Sequence, residues 1–217
     1  MNFLIPKLMH AVLLTAHGGM ENLEYRYDVK VPIPKKDEVL INVKGAGINN
    51  TDINTRTGWY SKSPFPNADD GSWSGNPLNF PIIQGADICG YIVSVGANVN
   101  PIRIGDHVIV RTMQEVPINQ KNYSSWTVGS ECNGGFAQYA AIRSSEAFKI
   151  NSNWTDAEIA SVPCAYSTAE GLLHRAKVGK ENIFITGASG GVGSAAIQLA
   201  KLRGANIIAQ CAKEKKK

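Results

Sequence analysis

The run Phe184-Ile-Thr-Gly-Ala-Ser-Gly-Gly-Val-Gly-Ser-Ala-Ala-Ile-Gln-Leu-Ala-Lys201 places glycines between a short apolar segment and a stretch of small residues at helical spacing. Ala188, Gly190 and Gly193 form an Ala-x-Gly-x-x-Gly variant of the dinucleotide fingerprint, with alanine in place of the first glycine. Small residues at those positions permit a tight turn, close approach of a diphosphate and close packing of the helix that follows. A diphosphate seated there would meet backbone N–H groups and the positive end of the helix dipole. Ser189, Gly190, Gly191, Val192 and Gly193 are therefore the expected cradle; the plainer alternative is a structural glycine turn.

The elements that must position this turn are readable on both sides. Ile183 to Ile185 suit a buried parallel strand, and Val192, Ala196 and Leu199 recur at the spacing of a helix packed on a sheet. A second strand is expected near Ile207. An acid just after it would bind the adenosine ribose hydroxyls of NAD, but Ile207-Ile-Ala-Gln-Cys-Ala-Lys213 offers none. NADP(H) is the expected cofactor, with Lys213 as the residue to recognise it.

Upstream, from Met9 to Ile150, β-prone runs alternate with turn residues: Ala11–Ala16, Val39–Val43, Gly90–Val95, His107–Val110 and Phe136–Ile142. Gly96, Gly105 and Gly134-Gly135 punctuate them as turn positions. This half is expected to be an antiparallel, barrel-like domain. Two segments, Ser61–Asn79 and Gln114–Glu131, read as long polar loops, each with a tryptophan. After Asn151 the character turns helical: Thr155-Asp-Ala-Glu158 has capping-box spacing, and Ala157–Ala176 is interrupted only by Pro163. The domains are drawn as 1–150 and 151–217.

Composition excludes several classes. The formal net charge is +4, and the terminal Lys213-Glu-Lys-Lys-Lys217 supplies four positive charges and one negative, leaving the body nearly neutral. Such a body has no electrostatic footprint for nucleic acid. The cysteines Cys89, Cys132, Cys164 and Cys211 are scattered without a CxxC pair, so neither a disulfide framework nor a structural zinc lobe is expected, and a reducing cytoplasm is the default. Pro6, Lys7 and His10 interrupt the N-terminal apolar residues, which argues against a signal or membrane segment. His107 and His174 read as packed or surface residues rather than ligands, and His10 and His17 carry no signal.

The order of these features resembles the medium-chain dehydrogenase/reductase superfamily, and within it the quinone oxidoreductase branch. The likeness rests on Gly47-Ile-Asn-Asn-Thr-Asp52, Gln84-Gly-Ala-Asp-Ile-Cys-Gly90 with Val95-Gly96, Gly105-Asp-His-Val108, Gly134-Gly-Phe-Ala-Gln-Tyr139, Pro163-Cys-Ala-Tyr-Ser-Thr-Ala169 and the glycine turn. It implies a GroES-like β-barrel domain followed by the first β-α-β part of a Rossmann domain, with nicotinamide in the cleft between them. It also implies hydride transfer from NADPH to a small-molecule acceptor, a quinone or an enone. By the same resemblance Asn49 would lie near the nicotinamide and the acceptor carbonyl, Thr51 would offer a hydroxyl, Tyr60 would wall the acceptor, and Thr168 would touch the nicotinamide side of the cofactor. The first three have plainer roles: Asn49 as a turn residue, Thr51 as a capping hydroxyl, and Tyr60 with Trp59 as an aromatic lid.

The zinc alcohol dehydrogenases of this superfamily hold their metal at positions that read Asn49, Ala86 and Cys164 here. One thiolate cannot supply the three protein ligands such a site needs, so no catalytic metal is expected and a zinc-type alcohol dehydrogenase is a lesser alternative. The nucleotide-binding part stops after strand, helix and strand, where a complete half has three strands. The expectation is the front part of an oxidoreductase that dimerises when complete; the alternative is a non-catalytic product or binding module of the same fold, and activity of these residues alone is doubtful.

Overall fold

A computed structural model describes residues 4–63, 70–117 and 123–213. Its first unit, Met1–Pro163, contains β1 (Leu8–Leu14), β2 (Leu23–Lys30), β3 (Glu38–Gly45), helix α1 (Asn50–Thr57), β4 (Ile82–Ile83), β5 (Cys89–Val95), β6 (His107–Val110), β7 (Met113–Pro117), β8 (Tyr123–Thr127), β9 (Tyr139–Arg143), β10 (Ala147–Lys149) and helix α2 (Asp156–Ala160). The strands pair in the orders β10-β6-β5-β3-β9 and β2-β1-β4, with β7-β8 as a separate ribbon. All of these pairings are antiparallel.

Alternation explains the core. Along β9 every second residue turns inward, and Ala140 and Ile142 join Val39, Ile41, Ile92 and Val108 in the main apolar cluster. The segment Phe136–Gln138, expected to open β9, instead ties the two larger sheets together. Val12 N–H donates to the Phe136 carbonyl at 2.8 Å, Gln138 N–H to that of His10 at 3.1 Å, and Val43 N–H to that of Gln138 at 2.9 Å. The barrel-like closure expected from the sequence is made at this seam.

One expected loop is not a loop. The Gln114–Glu131 stretch includes the β7–β8 ribbon, paired from Met113↔Thr127 to Pro117↔Tyr123. Its polar composition hid a period-2 pattern, and its anchor is remote: the Arg143 guanidinium of β9 donates to the Gln114 side-chain carbonyl at 2.9 and 3.1 Å. Within Ser61–Asn79, residues 64–69 lie outside the described residues.

The helical stretch splits at Pro163 as its ring demands. Thr155 caps α2 through the expected box, with Glu158 accepting from Thr155 N–H at 2.8 Å and Thr155 Oγ1 from Glu158 N–H at 3.3 Å. α3 (Pro163–Arg175) then begins at the proline itself, where the missing N–H costs nothing. α2 packs on β3 and β5 and belongs to the first unit.

The second unit, Cys164–Lys217, continues α3 into β11 (Asn182–Ile185), α4 (Gly191–Leu202) and β12 (Asn206–Ala209). β11 and β12 are parallel, in register Asn182↔Asn206 to Ile185↔Ala209, with α4 as the crossover. Ala169 of α3 meets Ala195 and Ala196 of α4 in the core of this unit, with Ile185 and Val192 packed against them. Among the described residues β12 pairs with β11 only. No helix of the described residues is long and apolar enough to cross a membrane.

Candidate functional site

In the first unit the expected residues gather on α1. Asn49 is the N-cap, in extended conformation, and its N–H is accepted by the Asp52 carboxylate at 2.8 Å. The other oxygen of that carboxylate accepts from Gly85 N–H at 3.2 Å and Ala86 N–H at 3.1 Å, while Gln84 Nε2 donates to the Asp52 carbonyl at 2.8 Å. One buried carboxylate thus binds the start of α1 to the segment that leads into β5. Burial pushes Asp52 up to about 6 and the neighbouring Asp87 adds to the rise, against the pull of the three backbone donors.

Asp87 is 1% exposed and takes two donors: Asn49 Nδ2 at 2.9 Å and Thr112 Oγ1 at 3.0 Å. The Asn49 side chain is therefore oriented by a buried carboxylate, beyond what capping requires. Along the same helix, Asn54 Nδ2 donates to the Tyr60 hydroxyl at 3.4 Å and Tyr60 donates to Thr51 Oγ1 at 3.1 Å. With those directions Thr51 keeps its own proton as the end of the chain, able to donate to an acceptor oxygen. Trp59 and Trp73 meet the Tyr60 ring edge-on, at 5.4 and 5.0 Å between centroids.

The first unit thus brings Asn49, Thr51 and Tyr60 onto one short helix and its exit. Sequence reasoning passed over Asp52 and Asp87. Asp52 had a local signal, since it stands three residues after the N-cap, at capping-box spacing. Asp87 meets Asn49 across 38 residues of chain, and no local pattern announces that.

In the second unit the glycine turn lies between β11 and α4. Gly187 adopts φ +61°, a conformation that disfavours any residue with a Cβ. Ala188 N–H donates to the Gln210 carbonyl at 3.0 Å and Gln210 N–H to that of Ile185 at 2.9 Å, so the turn is pinned just beyond the two strands. Gly190 is the N-cap of α4. A Cβ on Gly193 would strike the Gly187 carbonyl oxygen and come within 2.8 Å of Ala188 Cα, whereas one on Gly191 would make ordinary contact with Ala165 at 3.5 Å.

Ser189, Gly190 and Gly191 are exposed, Val192 half-buried and Gly193 buried. The first N–H groups of a helix have no partner within it, so this exposed, side-chain-poor end fits a diphosphate. Thr168 is exposed on α3, its hydroxyl donating to the Cys164 carbonyl at 2.7 Å, and Lys213 is exposed beyond β12. At the positions the resemblance gives to catalytic zinc, Asn49 is held by Asp87 and Ala86 has no donor atom; that set does not fit the metal.

Comparison with known proteins places this geometry. Residues 35–152 match the family model of the alcohol dehydrogenase GroES-like domain. Human quinone oxidoreductase is 33% identical over 204 residues, covering 93% of this chain and 52% of that protein. The chain spans about half the length of the curated relatives it matches. A crystal structure from Sinorhizobium meliloti 1021, of a protein named provisionally as an alcohol dehydrogenase, superposes with a TM-score of 0.87 at 41% identity, over 97% of this chain and 59% of that one. The cobalt- and zinc-bound thermostable alcohol dehydrogenase of Pyrobaculum aerophilum gives 0.78 at 27% identity, over 95% and 60%. With a GroES-like barrel, a dinucleotide-type turn opening a parallel β-α-β unit, and relatives matched along nearly its whole length, the chain belongs to the medium-chain dehydrogenase/reductase superfamily.

Proposed function

We propose that the chain supplies the acceptor-side domain and the opening of the nucleotide-binding domain of an oxidoreductase that transfers a hydride from NADPH to a quinone, an enone or a related carbonyl acceptor. The observation that carries this reading is the turn from Gly187 to Gly193, whose backbone fits a diphosphate at the start of α4. The likeness to human quinone oxidoreductase supports the choice of acceptor.

Bound NADPH would supply the hydride. Ser189 to Gly193 would hold its diphosphate, Thr168 would lie on its nicotinamide side, and Lys213 would answer the 2′-phosphate, since Ile207–Ala212 carries no acid for a free ribose. On the acceptor side, Asn54, Tyr60 and Thr51 form a donor chain ending in the Thr51 O–H, which would stabilise charge growing on a carbonyl oxygen. Asn49, held by Asp87, would orient the acceptor, and the Tyr60 ring with Trp59 and Trp73 would wall it. The zinc alternative has a metal-bound neighbour in its favour and the donor set against it.

A fluorescence titration of the 217-residue chain with NADPH and NADH tests the cofactor. Saturable micromolar binding that favours NADPH is expected; equal or tighter NADH binding would overturn the role of Lys213, and no binding of either would overturn cofactor use by this chain. Oxidation of NADPH by 1,4-benzoquinone, followed on the same preparation and on any longer form purified from the native source, separates an oxidoreductase from a binding module.

A further inference from the structure

We infer that Cys89, His107 and Asp156 form a site for a divalent zinc-type ion, built on β5, β6 and the first residue of α2. It involves none of the residues assigned above to cofactor or acceptor and does not depend on that assignment. Three donors of different chemistry converge. Cys89 Sγ lies 3.2 Å from His107 Nε2, His107 Nε2 lies 2.8 Å from Asp156 Oδ1, and Cys89 Sγ lies 3.6 Å from the same Oδ1. All three ligand atoms fall within 4.8 Å of one another.

The arrangement is not a nucleophile–base–acid relay. A relay needs the carboxylate on one ring nitrogen and the nucleophile on the other, whereas here both address Nε2. Protons can link the three groups only through Asp156. A ring nitrogen has one in-plane position for a proton or a lone pair. If Nε2 carries the proton, it and the thiol both donate to Asp156 Oδ1, at 2.8 and 3.6 Å, and the sulfur lone pairs are left facing an N–H. If Nε2 is bare and accepts from the thiol, it stands 2.8 Å from a carboxylate oxygen with no proton between them. A cation at the common point would take the place of these protons and engage sulfur, nitrogen and oxygen together.

The dimensions agree. Zinc bonds of about 2.3 Å to sulfur, about 2.05 Å to nitrogen and about 2.1 Å to oxygen, at tetrahedral angles, put the donors about 3.4–3.6 Å apart, so the sulfur–oxygen edge already fits and the sulfur–nitrogen and nitrogen–oxygen edges would open by about 0.4 and about 0.6 Å. One thiolate, one imidazole and one carboxylate select zinc or cobalt over the oxygen-seeking magnesium and calcium. The surroundings suit a metal as well. Tyr91 stacks on the His107 ring at 4.5 Å and 9°, fixing its plane, and Cys89 packs with Ile159 and Ala160. The Asp156 side chain is 33% exposed, which gives the ion an entry and leaves room for water as a fourth ligand.

Titration of the 217-residue chain with Co2+ reads the site directly, because a thiolate ligand gives a charge-transfer band in the near ultraviolet and tetrahedral Co2+ gives strong visible bands. Saturation at one equivalent, reversed by Zn2+, is expected. The charge-transfer band should vanish in Cys89→Ser and persist in Cys132→Ser, Cys164→Ser and Cys211→Ser. Asp156→Asn and His107→Gln, at partly exposed positions, should each weaken binding at least about tenfold; they carry the test if Cys89→Ser fails to fold by circular dichroism. Absence of a saturable thiolate band in the wild-type chain, its survival in a folded Cys89→Ser chain, or unchanged affinity in both other variants would overturn the proposal.

Discussion

In the glycine turn the groups that could meet a ligand are backbone N–H groups, and the residues that shape them lie together between Gly187 and Gly193. Around Asp87 the polar groups are side chains, and Asn49 and Thr112 reach it across 38 and 25 residues. The difference teaches how each region should fail. A backbone site fails when a Cβ fills space the turn needs; a buried side-chain network fails when its count of protons and acceptors is changed.

The largest expected effect lies in the network and is read by pH. The carboxyl of Asp52 is raised in the fold from an ordinary 3.8 to about 6, so the folded state holds its proton more tightly than the unfolded chain does. The stability this contributes is fully present below 3.8 and is lost as the pH rises through about 6, a span worth on the order of 3 kcal/mol. Other carboxylates, such as Asp106, are held low by Lys149 and slope the opposite way, so the difference between wild type and Asp52→Asn isolates the term. Urea unfolding of both chains at about pH 4 and about pH 7 should show the wild type losing stability relative to the variant as pH rises. Parallel curves would mean that Asp52 ionises normally.

The turn should respond to bulk rather than to charge. Gly193→Ala drives a methyl into the Gly187 carbonyl and should lower stability by about 2–3 kcal/mol, with NADPH affinity falling alongside. Gly191→Ala, two residues away and with only an ordinary contact to Ala165, should stay within about 0.5 kcal/mol of wild type. Thermal melts with and without NADPH check both; equal effects at the two glycines would remove the close packing of α4 on the turn as the reason for Gly193.

Asp87→Ala returns the comparison to the network. It takes the acceptor from Asn49 Nδ2 and leaves Thr112 Oγ1 only the Ala86 carbonyl at 3.2 Å, but also relieves the repulsion felt by Asp52, and a net loss of about 2 kcal/mol is expected. Asp87→Asn keeps one acceptor oxygen and should lose less. If both variants lose the same in denaturant unfolding, the charge rather than the hydrogen bonds holds Asn49 in place.

What was legible in the sequence follows the same division. The turn, the strand before it and the helix after it were readable because their signals are contiguous: φ-permissive glycines, an apolar run and helical spacing. The α2 cap and the interruption at Pro163 were readable for the same reason, since Thr155 and Glu158 stand three residues apart and proline restricts its own neighbourhood. The β7–β8 ribbon was not, because its strands are polar and its register rests on Arg143 of another sheet. Asn49 was found only through resemblance; that Asp87 orients it, and that Cys89, His107 and Asp156 converge, depends on how distant strands pair.

Tyr60→Phe is the smallest and most discriminating change. It deletes the hydroxyl between Asn54 and Thr51 while keeping the ring against Trp59 and Trp73, so stability should fall by no more than about 1 kcal/mol. Without Tyr60 the Thr51 hydroxyl loses the donor that directs its proton outward. If the proposed quinone reduction holds, its kcat should then drop severalfold with KM for NADPH unchanged, and Thr51→Val should reproduce the drop. A chain that serves only to cap and brace α1 would show the small stability change and no change in kcat, which would leave the first unit with an orienting carboxylate at Asp87 and no proton donor of its own at the acceptor.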